Sequence, residues 1–311
     1  MHKTLVTGGV GFIGLHVIDE LRRHGHDVYV LDNLSFGRRG LLEIADDHFF
    51  KVDLRDKFGL ASVLETIRPQ SVVHLAAIHF IPYCNQHPYE AAAVNIGGTI
   101  NLFDAIKRTA SVERVLFAST AAVYPIHDDP LAESHESAPL DIYGLTKHTG
   151  EQLCRGLSAE TGLPVTRVRF FNAFGTKETN PHLIPEIQKQ VLAGVRTIKL
   201  GNLEPKRDYI HTTDMASAIR LLLARKAEGC EVFNLGSGVE YSVREVVEAF
   251  SSALGEPIQI EVDPARVRKV DRPHLVADIR KLKAAIDWKP LVSLEAGIRE
   301  ILTEDRIYDR W

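Results

Sequence analysis

Three glycines near the start of the chain, Gly8, Gly11 and Gly14, constrain its fold more than any other feature. They stand in TGGVGFIG, between a short apolar run, Lys3 to Val6, and a stretch from Ile13 to Arg23 in which Leu15, Ile18 and Leu21 fall at helical spacing. Strand, glycine turn and helix in that order make the first unit of a parallel sheet. In such a turn the first glycine permits the tight bend, and the second lets backbone approach a pyrophosphate. The third lets helix and strand pack closely, and the helix N-terminus adds amide donors and the positive end of its dipole. A glycine triplet alone is weak; the strand before it and the helix after it give it meaning.

A second apolar strand, Val28 to Leu31, ends at Asp32, about twenty residues after the turn. A carboxylate there accepts both ribose hydroxyls of NAD and repels the extra phosphate of NADP. Arg38 and Arg39 follow closely and speak for NADP, and Asp32 also reads as an ordinary strand-end turn residue; its placement favours NAD. Tyr143 and Lys147, in IYGLTKHTGE, are four residues apart and share a face on a helix. A phenol titrates near pH ~10, and a neighbouring ammonium draws it down by roughly one to three pH units. That would fit Tyr143 for proton transfer, although the same spacing is common on solvated helices. His148, one position on, points about 100° away and reads as a surface residue.

Further strands are predicted at His48–Val52, Ser71–His74, Arg114–Ala118 and Val165–Arg169, with helices at Lys57–Ile67, Tyr89–Arg108 and Tyr143–Thr161. The alternation predicts an α/β fold, a doubly wound parallel sheet with ligands at the carboxyl ends of its strands. After Phe171 it breaks into helices near Ile184–Ala193, Thr213–Ala227, Val243–Ala253 and Ser293–Thr303, and strands near Thr197–Leu200 and Glu231–Asn234. At 311 residues the chain can bury a large core around one sheet plus a smaller domain. A net charge of −4, with both signs mixed along the chain, gives no reason to expect nucleic acid. The three cysteines, Cys84, Cys154 and Cys230, cannot all pair and lack metal-ligand spacing, so no metal is expected. They read as thiols of a reducing cytoplasm. No apolar run approaches the ~18 residues of a membrane span, and the N-terminus does not read as a signal peptide.

Together these residues resemble the extended short-chain dehydrogenase/reductase family, within it the nucleotide-sugar epimerases and dehydratases and especially the UDP-glucose 4-epimerases. The resemblance runs from Lys3 to about Trp288. It is carried by TGGVGFIG, DNLSFG, VDL, HLAA, FASTAAVYP, YGLTK, RFFNAFG and PKRDYIHTTD. It implies a Rossmann NAD domain over 1–171, with a returning segment near 230–240. A smaller, interleaved nucleotide-sugar domain would occupy 172–311. It also implies the catalytic set Thr120, Tyr143 and Lys147. Thr120 would bond the sugar hydroxyl, Tyr143 would be the base toward it, and Lys147 would hold the nicotinamide ribose.

The implied cofactor contacts are Gly8, Gly11, Phe12, Ile13, Gly14, Asp32, Asn33, Leu34, Ser35 and Gly37, then Asp53 and Leu54 beside the adenine. Leu75, Ala76 and Ala77 would pass under the pyrophosphate, Asn95 would support that loop, and Phe170 would complete the set. His74 reads as structural. On the substrate side, Asn172 and Arg207 would grip the diphosphate. Arg268 would hold phosphate, Asp271 the nucleotide ribose, and His79 and Cys84 would stand near the sugar. Cys84 replaces a serine common in relatives, and an inert packed thiol is its other reading. Thr176 follows Gly175 where the family has proline.

The activity implied is epimerisation at C4 of a nucleotide-sugar, UDP-linked by preference, through a transient 4-keto sugar and bound NADH. A 4-reductase, dehydratase or decarboxylase is the alternative, as is a non-catalytic NAD sensor on the same fold. The dehydratases carry a glutamate two residues beyond the triad threonine; Ala121 and Ala122 stand here. The helices at Tyr89–Arg108 and Gly144–Thr161 carry apolar residues on more than one side, which in this family implies a homodimer through a four-helix bundle.

Overall fold

The computed structural model describes residues 1–178, 180–267 and 272–304. The first part alternates β1 (His2–Thr7), α1 (Phe12–Arg23), β2 (His26–Leu31), β3 (Phe49–Phe50), α2 (Lys57–Ile67) and β4 (Ser71–His74). Helices α3 (Ile81–Gln86), α4 (Pro88–Ala92) and α5 (Gly98–Lys107) follow, then β5 (Arg114–Thr120), α6 (Ile142–Thr161) and β6 (Val165–Phe170). Next come β7 (Asn172–Phe174), α7 (Leu183–Leu192), β8 (Thr197–Leu200), β9 (Lys206–His211), α8 (Thr212–Ala224) and β10 (Cys230–Leu235). The described chain closes with β11 (Glu240–Ser242), α9 (Val243–Leu254), β12 (Gln259–Val262), α10 (Arg280–Ala285) and α11 (Leu294–Glu304).

Seven strands form one parallel sheet in the order β10-β6-β5-β4-β1-β2-β3. The order reverses between β1 and β4, so a crevice opens at their carboxyl ends, between the glycine turn and the loop after His74. Covered on both faces, the central strands read as continuous apolar runs: Leu5, Val6, Val72 and Val73 are fully buried. Asp141 starts α6 by accepting from the Gly144 amide at 2.8 Å, and Gly162 ends it in a left-handed turn.

The strand expected over His48–Val52 shrinks to β3, because Asp46–His48 winds into a 3₁₀ turn. The helix expected as continuous over Tyr89–Arg108 is instead α4 and α5 joined by a π-helical turn, Ala93–Gly97. The second lobe packs α7, α9 and α11 around β8 and β9, with Phe174, Ile187, Ile198, Phe250 and Ile298 in its core. β7, β9 and β11 form its three-stranded sheet, and β8 pairs with β12.

The chain re-enters the first lobe earlier and later than a single return near 230–240. Met215, Ile219 and Leu222 of α8 share one core with Val17, Ile18 and Leu21 of α1. Leu275, Ala277 and Trp288 join that core as well. No helix among the described residues is long and apolar enough to cross a membrane.

Candidate active site

The crevice widens into a cavity of about 1070 Å³ running from Asp32 and Leu54, past the glycine turn and Lys147, to Arg207 in the second lobe. Sites for one drug-sized ligand span roughly 300–1,000 Å³, so this cavity admits a ligand at or beyond the top of that range.

At the cofactor end, Gly8 has φ +70°, and a Cβ there would lie 2.7 Å from the backbone of Ala76. A Cβ on Gly14 would lie 2.4 Å from the Gly8 carbonyl oxygen. Gly11 meets nothing but that carbonyl, at 3.2 Å, and presents bare backbone to the cavity. It caps α1 without a side-chain hydrogen bond, leaving first-turn amides at Phe12 and Ile13 to face an anion. Asp32 is 7 % exposed at the cavity wall, held by the amides of Leu34 at 2.8 Å and Val10 at 3.3 Å; burial raises its pKa. Bare glycine backbone, an open helix end and a buried carboxylate one strand away fit a dinucleotide. Arg39 is committed to Asp46 and lies over the Phe49 ring, and neither it nor Arg38 lines the cavity.

Asn33, Ser35, Gly37, Leu54, Leu75, Ala76, Ala77 and Phe170 line the cavity. Leu34 does not; it takes a left-handed φ of 64°, rare for leucine, and contributes its amide to Asp32. Asp53 is also set back. Arg55 grips it at 2.8 Å through both Nε and Nη2 and holds its carboxyl well below the usual range, while Asn33 Nδ2 donates to it at 2.7 Å. Its part is therefore to position Asn33 and Arg55, which do reach the wall. Asn95 is buried behind the wall. It accepts from the Ile78 amide at 2.8 Å, and its Nδ2 donates to the Ile78 carbonyl at 2.9 Å and to Thr146 Oγ1 at 3.0 Å.

At the centre, Thr120 and Tyr143 stand together on the cavity wall, and Thr120 Oγ1 accepts from the Ala122 amide at 3.2 Å. Burial pushes the phenol upward, and the neighbouring Thr120 hydroxyl opposes it. The expectation that Lys147 draws Tyr143 down is not met. The lysine stem carries Nζ to the Ala118 carbonyl, 2.8 Å away, and over the Phe117 ring, while burial pulls the ammonium down to about 8. His74 is fully buried between Thr7 and Thr99, and burial holds it neutral, at about 3. His148 is half-buried rather than on the surface, and its Nδ1 is shielded without a partner among the described residues.

Toward the second lobe, His79 lines the cavity, accepts from Asn180 Nδ2 at 3.2 Å and is kept neutral by burial. Of its two readings, contact with the sugar and inert packing, Cys84 fits the second. Its side chain is fully buried off the cavity, Sγ donates to the Ile78 carbonyl at 3.4 Å, and burial raises the thiol to about 11. Asn172 and Arg207 line the cavity; the first donates to the Asp208 carbonyl at 3.2 Å, the second to the carbonyls of Lys206 and Arg272. Arg268 and Asp271 lie outside the described residues. Gly175 takes φ +153°, and the Thr176 carbonyl after it is tied to His16 of α1 at 3.2 Å.

Asp208, next to Arg207, was not anticipated. It accepts from Ser237 N and Oγ, Gly238 N and Ala277 N, binding three segments around the second-lobe end of the cavity. Its place inside the PKRDYIHTTD run was the available signal. Arg272, on the cavity wall and anchored to the carbonyls of Tyr124 and Pro125 at 2.8 Å, was missed too.

A doubly wound parallel sheet, a glycine turn backed by a strand-end carboxylate, and a Thr–Tyr–Lys set facing a second lobe define the extended short-chain dehydrogenase/reductase class. Within it, the chain belongs to the GDP-mannose 4,6-dehydratase family, whose model matches residues 5–301. The chain is 36% identical over 305 residues to UDP-glucose 4-epimerase of Corynebacterium glutamicum, covering 93% of this chain and 91% of that one. Its structure is similar to that of Thermus thermophilus UDP-glucose 4-epimerase in complex with NAD, with a TM-score of 0.89, 31% identity and coverage of 98% and 99%. It is also similar to that of UDP-glucose 4-epimerase from Stenotrophomonas maltophila with bound NAD and formylated UDP-arabinopyranose. There the TM-score is 0.90 at 29% identity, with coverage of 99% and 98%.

Proposed function

We propose that this protein interconverts UDP-linked sugars at C4, as a cytoplasmic homodimer. The enzyme is an NAD-dependent nucleotide-sugar 4-epimerase. The preference for UDP rests on its relatives, which act on or bind UDP-sugars. The dimer rests on Tyr89, Ile100 and Leu145, exposed apolar residues of α4, α5 and α6, and the compartment on three free cysteines.

The observation that carries the reading is that Thr120, Tyr143 and Lys147 line the same cavity as the glycine turn and Asp32. When bound, NAD supplies the acceptor and donor of hydride at the sugar carbon. Asp32 would hold its adenosine ribose, the α1 amides its pyrophosphate, and Lys147 its nicotinamide ribose. Tyr143, entering as the phenolate, takes the proton of the sugar hydroxyl during oxidation, stays a neutral phenol while the keto sugar turns, and returns the proton during reduction. The neighbouring Thr120 hydroxyl stabilises the phenolate at the start and end of the cycle. Asn172 and Arg207 grip the diphosphate, so the sugar can turn over while its nucleotide stays anchored. Ala121 and Ala122 leave no carboxylate beside Thr120 to take a C5 proton, which favours epimerisation over elimination.

A panel of nucleotide-sugars followed by NMR of the anomeric proton should show conversion to the C4 epimer. Tyr143→Phe should keep the fold and lower kcat about 10²- to 10⁴-fold. Near-normal turnover in that variant would sink the mechanism, and stoichiometric consumption of free NAD(P)H would mark a reductase.

A further inference from the structure

Glu151 lies two turns beyond Tyr143 and one beyond Lys147 on α6, away from any reacting atom. It is 1 % exposed, and both carboxylate oxygens are committed. Ser119 Oγ donates to Oε1 at 2.6 Å, Arg169 Nε to Oε1 and Nη2 to Oε2 at 2.8 Å each, and Arg167 Nη1 to Oε2 at 3.4 Å. Arg169 is fixed in turn against the Tyr124 ring, 4.6 Å away, and by Ser137 Oγ at 3.2 Å.

Three successive turns of α6 thus run along the last three residues of β5, and two of them bond to it. Lys147 donates to the Ala118 carbonyl, Glu151 accepts from Ser119, and Tyr143 stands beside Thr120 at the cavity wall. The helix lies unusually close along this line. A Cβ on Gly150 would stand 2.4 Å from Phe117 Cζ, and one on Gly144 would stand 2.5 Å from the Ala122 carbonyl oxygen. Glycines permit that approach but cannot fix its register, since a helix can slide or roll over a smooth contact. A carboxylate gripped from one side by Ser119 of β5 and from the other by two arginines of β6 can.

We propose that Glu151, acting through Ser119, is a positioning residue that sets the register of α6 on β5 and so holds the Tyr143 phenol against Thr120. The inference rests on the reading that Thr120, Tyr143 and Lys147 perform the chemistry. A misplacement near 1 Å costs up to about 100-fold in rate, so loss of the latch should appear in kcat.

Glu151→Gln leaves Arg167 and Arg169 buried without their carboxylate and risks losing folded protein. Ser119→Ala leaves the Glu–Arg cluster whole and is the decisive variant. In the cofactor-loaded enzyme it should lower kcat about 10- to 100-fold, leaving the sugar KM, bound NAD and Tm nearly unchanged. Placed on Tyr143→Phe it should cost almost nothing more, because the group it serves is already gone. An unchanged kcat in Ser119→Ala overturns the proposal, as does an equal fold-loss with and without Tyr143. Near-normal activity of Tyr143→Phe alone overturns the underlying assignment instead, so the two failures are told apart.

Discussion

Lys147 places a charge where the fold least favours one, and Lys147→Met should therefore make the protein more stable while it abolishes function. The side chain is 3 % exposed, and burial takes its ammonium from an ordinary 10.5 to about 8. At about 1.36 kcal/mol per pH unit, that difference disfavours the folded state by about 3 kcal/mol at neutral pH. Methionine keeps the stem and drops the charge, but forfeits the bond to the Ala118 carbonyl, worth about 1 kcal/mol. The net gain is roughly 2 kcal/mol, or roughly 3 °C in Tm for a chain of 311 residues.

The sign with pH is fixed. Below pH 8 both folded and unfolded lysine hold the proton and the penalty is complete. Between 8 and 10.5 the unfolded chain keeps the proton that the folded chain has lost, so wild-type stability rises and the advantage of the variant fades. Thermal unfolding of both proteins freed of nucleotide, at pH 7 and at pH 10, measures it. A variant no more stable than wild type at pH 7, or an advantage independent of pH, would refute the reasoning.

Gly150→Ala should cost about 1–3 kcal/mol by forcing a methyl against Phe117, seen as a lower Tm. In D₂O, no deuterium should enter C5 or C6 of the sugar, because Ala121 and Ala122 offer no base; mass spectrometry showing label there, or a product lighter by one water, would favour a dehydratase. NAD(H) should stay bound through purification, with added NAD barely raising activity, as measured by absorbance of the denatured supernatant. Light scattering at micromolar protein should return twice the protomer mass, and a monomer would count against pairing through α5 and α6.

Much of the first lobe was legible because its elements are long and its strands fully buried. Ser71–His74 and Lys57–Ile67 have the bounds that periodicity suggested, since turn residues and a capping aspartate close them on both sides. The glycine turn was readable because its chemistry is local. β7, β11 and β12 were not, at three or four residues each, too few to show a period. The π-helical turn at Asn95 was hidden, because one extra residue in a turn leaves the apolar pattern nearly intact. Among side chains, spacing put Tyr143 and Lys147 on one face but could not say that the ammonium would settle on Ala118. Glu151, four residues after Lys147, carries no signal of burial in the sequence, because its partners Arg167 and Arg169 are brought to it only by the next strand.

The return of α8 and β10 to the first lobe shapes how the protein can be made. During synthesis, the chain through Phe171 leaves the ribosome with its helices and six strands complete, but two seams are open. The free edge of β6 awaits β10, and the apolar face of α1 awaits α8. Dozens of residues must be translated before either seam closes, and a bare parallel edge beside an uncovered apolar helix invites pairing with neighbouring chains. Codon choice and chaperone supply across that interval should govern the yield of folded enzyme more than the intrinsic stability of the finished molecule.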